Sequence, residues 1–186
     1  MLLTNQPRWG MLQVFTGNGK GKTTAALGTA LRAVAKGKRV AIIAFDKGGE
    51  SHYSEREISR ARIPELEYFP TGLDRIDPVT NRFRFGVTDE DRAEGARGLA
   101  LAQAILSRAQ HELVILDELN SSTALGIVTE AEALRVLDCK PSQVEVIVTG
   151  RHAPASFIER ADLVTDMTLI KHYFYRGEPA REGLDY

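Results

Sequence analysis

Eight residues, Gly17-Asn18-Gly19-Lys20-Gly21-Lys22-Thr23-Thr24, constrain this chain more than any other stretch. An apolar run, Met11 to Phe15, precedes them, and an alanine-rich run from Thr23 to Lys36, stopped by Gly37, follows. Strand, glycine-rich loop, Lys-Thr and helix in that order are the parts of a phosphate-binding loop. Glycines let successive backbone N–H groups turn inward around phosphate oxygens. The helix N-terminus adds a positive dipole end, and Lys22 adds a full charge. Thr23 is placed to offer its hydroxyl to Mg2+. A dinucleotide fingerprint, G-x-G-x-x-G, needs glycine where Lys22 stands, so that reading fails. The usual phosphate-loop spacing, G-x-x-x-x-G-K-[ST], needs glycine where Thr16 stands; the first glycine is Gly17, and the loop is one residue short.

The rest of the chain alternates strand and helix patterns. Arg39–Phe45, Glu112–Leu116 and Val144–Thr149 read as buried strands, Glu65–Phe69 as a weaker one and Leu163–Ile170 as a final one. Helical patterns cover Asp89–Ala109, with Thr88 as its cap and acids in its first turn, then Glu130–Leu137 and Ala155–Ala161. This alternation predicts an α/β fold, a mostly parallel central sheet with helices on both faces. Ligands of such folds bind beyond the carboxyl ends of the strands. Polar residues gather at those ends: the glycine loop, Asp46-Lys47, Asp117-Glu118 and Gly150-Arg151. Residues 70–88 hold Pro70, Gly72, Pro78 and Gly86 among Leu73, Arg75, Phe83 and Phe85, which reads as a long functional loop.

An apolar strand ending in Asp117-Glu118 has the form of a magnesium-organising motif. Glu118 is favoured as the closer ligand, with Asp117 supporting it. Arg151 suits either a phosphate or ribose contact or a surface salt bridge. Lys47 is expected to line the pocket, ahead of Asp46. His52, His111, His152 and His172 have no metal-binding spacing, and the serines lack a nucleophile elbow. Tyr173, Phe174 and Tyr175 suit a core or edge-strand position better than a lid.

The 186 residues suit one domain, 1–186, with residues 1–9 as a short arm. A net charge of −1 gives no general attraction to nucleic acid or to an anionic membrane, so neither is an expected partner. One cysteine, Cys139, excludes an internal disulfide framework and fits a reducing cytoplasm. No signal-peptide pattern opens the chain, and no apolar run approaches the ~20 residues that span a bilayer.

Taken in order, G-N-G-K-G-K-T-T-A-A, R-A-V-A-K-G-K-R-V, F-D-K-G, L-D-E-L, V-T-G-R and the tail K-H-Y-F-x-x-G-E-P-A-R-E-G-L-D-Y resemble the P-loop-type ATP:corrinoid adenosyltransferases. The resemblance runs from about Gly10 to Tyr186 and implies a RecA-like nucleotide-binding fold. It implies a reaction in which a reduced cob(I) corrinoid attacks C5′ of ATP and triphosphate leaves, with ATP bound in the reverse sense to ordinary phosphate-loop enzymes. Gly17, Asn18, Gly19, Lys20, Gly21, Lys22, Thr23 and Thr24 would then hold the phosphates. Thr23 with Glu118 would bind Mg2+, and Arg32 and Arg151 would assist the nucleotide. The family is typically homodimeric, depends on an external reductant such as a flavoprotein, and can cover its active site with an N-terminal segment; residues 1–9 are too short for a long capping helix. Its bacterial members carry two aromatics below the corrin, where this chain has Leu73 and Arg75. The alternatives are a divergent phosphate-loop ATPase or kinase, and a non-catalytic nucleotide- or corrinoid-binding protein.

Overall fold

A computed structural model describes residues 9–49, 54–75 and 84–185. Residues 1–8 of the expected arm, Ser51, His52, and residues 76–83 of the expected loop, Phe83 among them, lie outside the described residues. In chain order the elements are β1 (Leu12–Thr16), α1 (Lys22–Val34), β2 (Val40–Ala44), α2 (Ser54–Arg62), β3 (Leu66–Pro70), α3 (Asp89–Arg108) and β4 (Leu113–Asp117). They continue with α4 (Leu119–Ala124), α5 (Glu130–Asp138), β5 (Glu145–Thr149), α6 (Ala155–Arg160), β6 (Leu163–Asp166) and a 3-10 turn at Tyr173–Arg176.

The strands form one parallel sheet in the order β3-β2-β4-β5-β1-β6. Strand β2 shows why the pattern is continuous rather than alternating, since all five of its residues are buried. Val40 and Ile42 face α1, whose Ala26, Ala30 and Ala33 form one small-residue stripe. Ala41 and Ile43 face the other way, into a core shared with Leu99, Ala102 and Leu106 of α3 and with Ala133 and Val136 of α5. Side chains alternate across a strand, so a strand covered on both faces must be apolar at every position. Helix α3 starts where Thr88 and Asp91 close a reciprocal capping box.

The sheet order positions the site. Strand β5 separates β1 from β4, so the carboxyl ends of β1, β5 and β4 stand side by side. Helix α2 was not legible because it has no apolar stripe: its buried residues are Arg56 and Ser59. Arg56 anchors it by donating to the carbonyls of Lys47 and Gly49. Strand β6 ends at Asp166, short of the expected Ile170, and as an edge strand it is exposed along its length. Tyr173, Phe174 and Tyr175 form the 3-10 turn rather than an edge strand, and Phe174 and Tyr175 are exposed, against the expectation of a core position. Among the described residues no helix is long and apolar enough to cross a membrane.

Candidate functional site

The glycine loop turns sharply out of β1. Gly17 has φ 97° and Gly21 φ 117°, values a side chain tolerates poorly. The loop packs against the end of β6: a Cβ on Gly17 would lie 2.6 Å from the Met167 carbonyl oxygen, and the Gly19 N–H donates to that carbonyl at 2.6 Å. Gly21 N-caps α1, so Lys22, Thr23 and Thr24 form its first turn, where N–H groups lack helical partners. Lys22 is buried and donates from Nζ to the Gly19 carbonyl at 2.6 Å, which points its charge into the loop. Burial lowers its pKa below the ordinary lysine value, and the Glu118 carboxylate offsets part of that.

Asp117 organises the next layer. Its carboxylate is 1% exposed and accepts from Thr23 Oγ1 at 2.9 Å, Thr149 Oγ1 at 2.5 Å and Lys47 Nζ at 2.5 Å. Burial raises its pKa, yet the Lys47 charge and the three hydrogen bonds outweigh that and hold it below the ordinary aspartate value. Burial likewise opposes the charge on Lys47, but Asp117 and Glu118 keep its pKa above the usual lysine range. Thr23 therefore meets Asp117 rather than Glu118. Glu118, at φ 61°, accepts instead from Ser121 Oγ at 2.5 Å, and that hydroxyl accepts from the Arg151 N–H at 2.9 Å. Three of the described non-glycine residues with positive φ, Asp46, Glu118 and His152, follow the ends of β2, β4 and β5. Strain of this kind concentrates at functional sites. A threonine hydroxyl touching a carboxylate beside the glycine loop is a hard oxygen donor set, which suits Mg2+. Among the described residues no group of three or more His, Cys, Asp and Glu could hold a metal ion. A divalent cation here would complete its shell with phosphate oxygens and water.

One cleft of about 890 Å3 is lined by Gly19 to Thr24, Lys47, Glu118 and Arg151. That volume suits a nucleotide-sized ligand. It is also lined by α2, through Ser54, Glu55 and Ile58, and by residues of the C-terminal tail between His172 and Asp185. The tail touches the loop directly, because Lys20 Nζ donates to the Asp185 carboxylate and the Leu184 carbonyl. Asp185 also accepts from Tyr173 Oη, and these partners hold its pKa well below the ordinary value.

Three predicted positions lie apart from this cluster. Arg32 sits in the last turn of α1, ten residues and ~15 Å of helix rise beyond Lys22. It lines a separate pocket of about 280 Å3 with Trp9, Gln13 and Glu145, toward the amino ends of β1 and β5. Arg75 is buried, with Nε on both carboxylate oxygens of Asp46 at 2.7 and 2.9 Å and Nη1 on the Gly86 carbonyl at 2.7 Å. It fastens the segment after β3 to the end of β2. Burial raises the Asp46 pKa in spite of this guanidinium. Leu73 is 37% exposed beside it. The sequence reading missed Asn120, which is fully buried and donates from Nδ2 to the carbonyls of Phe15 at 3.3 Å and Gly150 at 3.2 Å. It ties the end of β1 to the Arg151 turn. Its place directly after Leu-Asp-Glu-Leu was the available signal.

The model of the family described as ATP:corrinoid adenosyltransferase BtuR/CobO/CobP matches residues 8–186. A corrinoid adenosyltransferase of Escherichia coli K12 is 36% identical over 181 residues, covering 97% of this chain and 88% of that protein. The corrinoid adenosyltransferase CobA of Salmonella typhimurium LT2 is 34% identical over 184 residues, with 97% and 88% covered. An uncharacterised protein of Nostoc sp. PCC 7120 is 34% identical over 174 residues, which cover 88% of this chain and 45% of that protein.

Proposed function

Because the chain belongs to the ATP:corrinoid adenosyltransferase BtuR/CobO/CobP family, we propose that its cleft holds the triphosphate of ATP as a leaving group while a corrinoid substrate takes the adenosyl group. The enzyme is an ATP:corrinoid adenosyltransferase. In the reaction the electron pair of cob(I) forms the Co–C5′ bond, the C5′–O bond breaks, and its electrons leave on triphosphate. Cobalt supplies both electrons of the new bond, so no protein base is needed. The work left to the protein is to orient C5′ and to stabilise charge growing on the departing oxygen. Lys20, Lys22 and Arg151 supply positive charge, and the first turn of α1 supplies N–H donors. Thr23 and Asp117, with Glu118 behind them, are the side chains that would hold Mg2+, which when bound neutralises phosphate charge.

The observation that carries this reading is the convergence of Lys22, Thr23, Glu118 and Arg151 from three strand ends on a single cleft, with Asp117 buried behind Thr23. Leu73 offers apolar bulk to a corrin. Arg75, already paired with Asp46, takes a fastening role in place of an aromatic. Arg32, which the family resemblance gives to the nucleotide, lines the separate pocket near Trp9 and stays outside the set that borders this cleft. A cytoplasmic homodimer served by a flavoprotein reductant completes the proposal. Incubation with MgATP, a reductant and cob(I)alamin should yield adenosylcobalamin and inorganic triphosphate in equal amounts. ADP and phosphate as the only products would assign the cleft to an ATPase, and binding without turnover would leave a nucleotide carrier.

A further inference from the structure

Lys47 stands where a divalent cation would compete with it. Its Nζ lies 2.5 Å from Asp117 Oδ2 and 3.4 Å from Thr23 Oγ1, while Thr23 and Asp117 contact each other at 2.9 Å. Its side chain is 12% exposed and borders the cleft beside Lys22. Asp117 is 1% exposed, and Lys47 is the cation seated on its carboxylate. On the reading of the cleft as the ATP site, we propose that Lys47 is a further substrate-contacting residue. It is an internal cation that neutralises Asp117 in the free enzyme and turns onto the triphosphate when a divalent cation takes Asp117.

The reasoning is electrostatic. A divalent cation on Asp117 and an ammonium 2.5 Å from the same carboxylate repel each other strongly in a site of low dielectric. The lysine stem has four rotatable methylenes and a compact charge, so the ammonium can swing while its backbone stays fixed. The nearest large anion is then the triphosphate on the glycine loop. The exchange places Lys47 on the leaving group only when metal and nucleotide are both present, which couples their binding. It also explains why a lysine, rather than an apolar residue, follows the end of β2 at this point of the sheet.

Two variants separate this role from a structural one. Lys47→Met removes the competing cation, so Mn2+ alone, followed by its electron paramagnetic resonance signal, should bind about tenfold more tightly than to the parent. Inorganic triphosphate with Mg2+, followed by calorimetry, should bind at least tenfold more weakly. Lys47→Arg keeps the charge and the fold and grips Asp117 through two N–H groups, so Mn2+ alone should bind about tenfold more weakly. Opposite shifts in Mn2+ affinity support the exchange; shifts of the same sign, or none, overturn it. Should Lys47→Met not fold, Lys47→Arg decides alone: unchanged Mn2+ affinity overturns the proposal. Lys22→Ala distinguishes the two levels. If that variant loses triphosphate binding and the Lys47 variants shift nothing, the ATP-site reading stands and the role of Lys47 falls. If the parent itself binds no triphosphate, both fall.

Discussion

Replacing Gly17 by alanine tests how the short loop is built, because the same change at Gly28 should have the opposite sign. Gly17 has φ 97°, and a Cβ there would lie 2.1 Å from Asp166 Oδ1, 2.6 Å from the Met167 carbonyl oxygen and 2.7 Å from its nitrogen. A side chain in the left-handed region costs about 1–2 kcal/mol. Forcing the Met167 backbone aside adds about 1–3 kcal/mol, as overpacking does in other dense sites. The expected loss is therefore roughly 3 kcal/mol. At about 2–4 °C per kcal/mol for a chain of this size, Tm should fall by about 6–12 °C. Displacing Met167 also moves the partner of the Gly19 N–H, so triphosphate affinity should fall with stability. Gly28 lies within α1, and a Cβ there meets nothing within 4 Å. Gly28→Ala should stabilise by roughly 0.5–1 kcal/mol through helix propensity alone. Urea unfolding of the three proteins without ligand, with triphosphate titrations alongside, measures both effects. A Gly17→Ala variant within about 0.5 kcal/mol of the parent would refute the packing reasoning.

Other expectations follow from individual side chains. Lys22→Ala should weaken MgATP binding or turnover tenfold or more, about 1.4 kcal/mol or more, and unchanged kinetics would remove the phosphate-loop assignment. Asn120→Ala leaves the Phe15 and Gly150 carbonyls without their buried donor and should cost about 2–3 kcal/mol in urea unfolding. If its cost is under about 0.5 kcal/mol, the amide does not tie β1 to the Arg151 turn. Asp91, buried at the start of α3, is held well below the ordinary aspartate range by Arg84 and by the Thr88 N–H and hydroxyl, despite its burial. A depressed folded pKa stabilises fully above the unfolded value of ~3.9 and loses that contribution as pH falls through the folded value. Asp91→Asn should thus be less stable than the parent by about 1–2 kcal/mol at pH 7, and the two unfolding curves should converge as pH drops below ~4. A gap that persists unchanged at pH 2–3 would assign the difference to packing.

Local chemistry made much of this protein legible in its sequence. The glycine loop, the fully apolar strands, the Thr88 cap and the gathering of polar residues at strand ends follow from short-range rules: glycine torsions, side-chain alternation and capping. Each can be read within a window of a few residues. Helix α2 broke those rules, because Arg56 holds it through carbonyls of the preceding loop rather than through an apolar stripe. The tail broke them too, because its aromatic cluster looks like a strand until Asp185 and Lys20 bring it against the loop.

By itself the sequence determined that strands would carry a glycine loop and acids to one end of a parallel sheet. Tertiary structure alone decided the partners there. Inserting β5 between β1 and β4 set Thr149 on Asp117 and brought Asp117, rather than Glu118, to Thr23. Pairing β2 with β4 gave Lys47 to Asp117, and pairing β2 with β3 brought Arg75 to Asp46. Which charges meet depends on strand order and burial, because a carboxylate removed from water takes the nearest cation that the fold supplies.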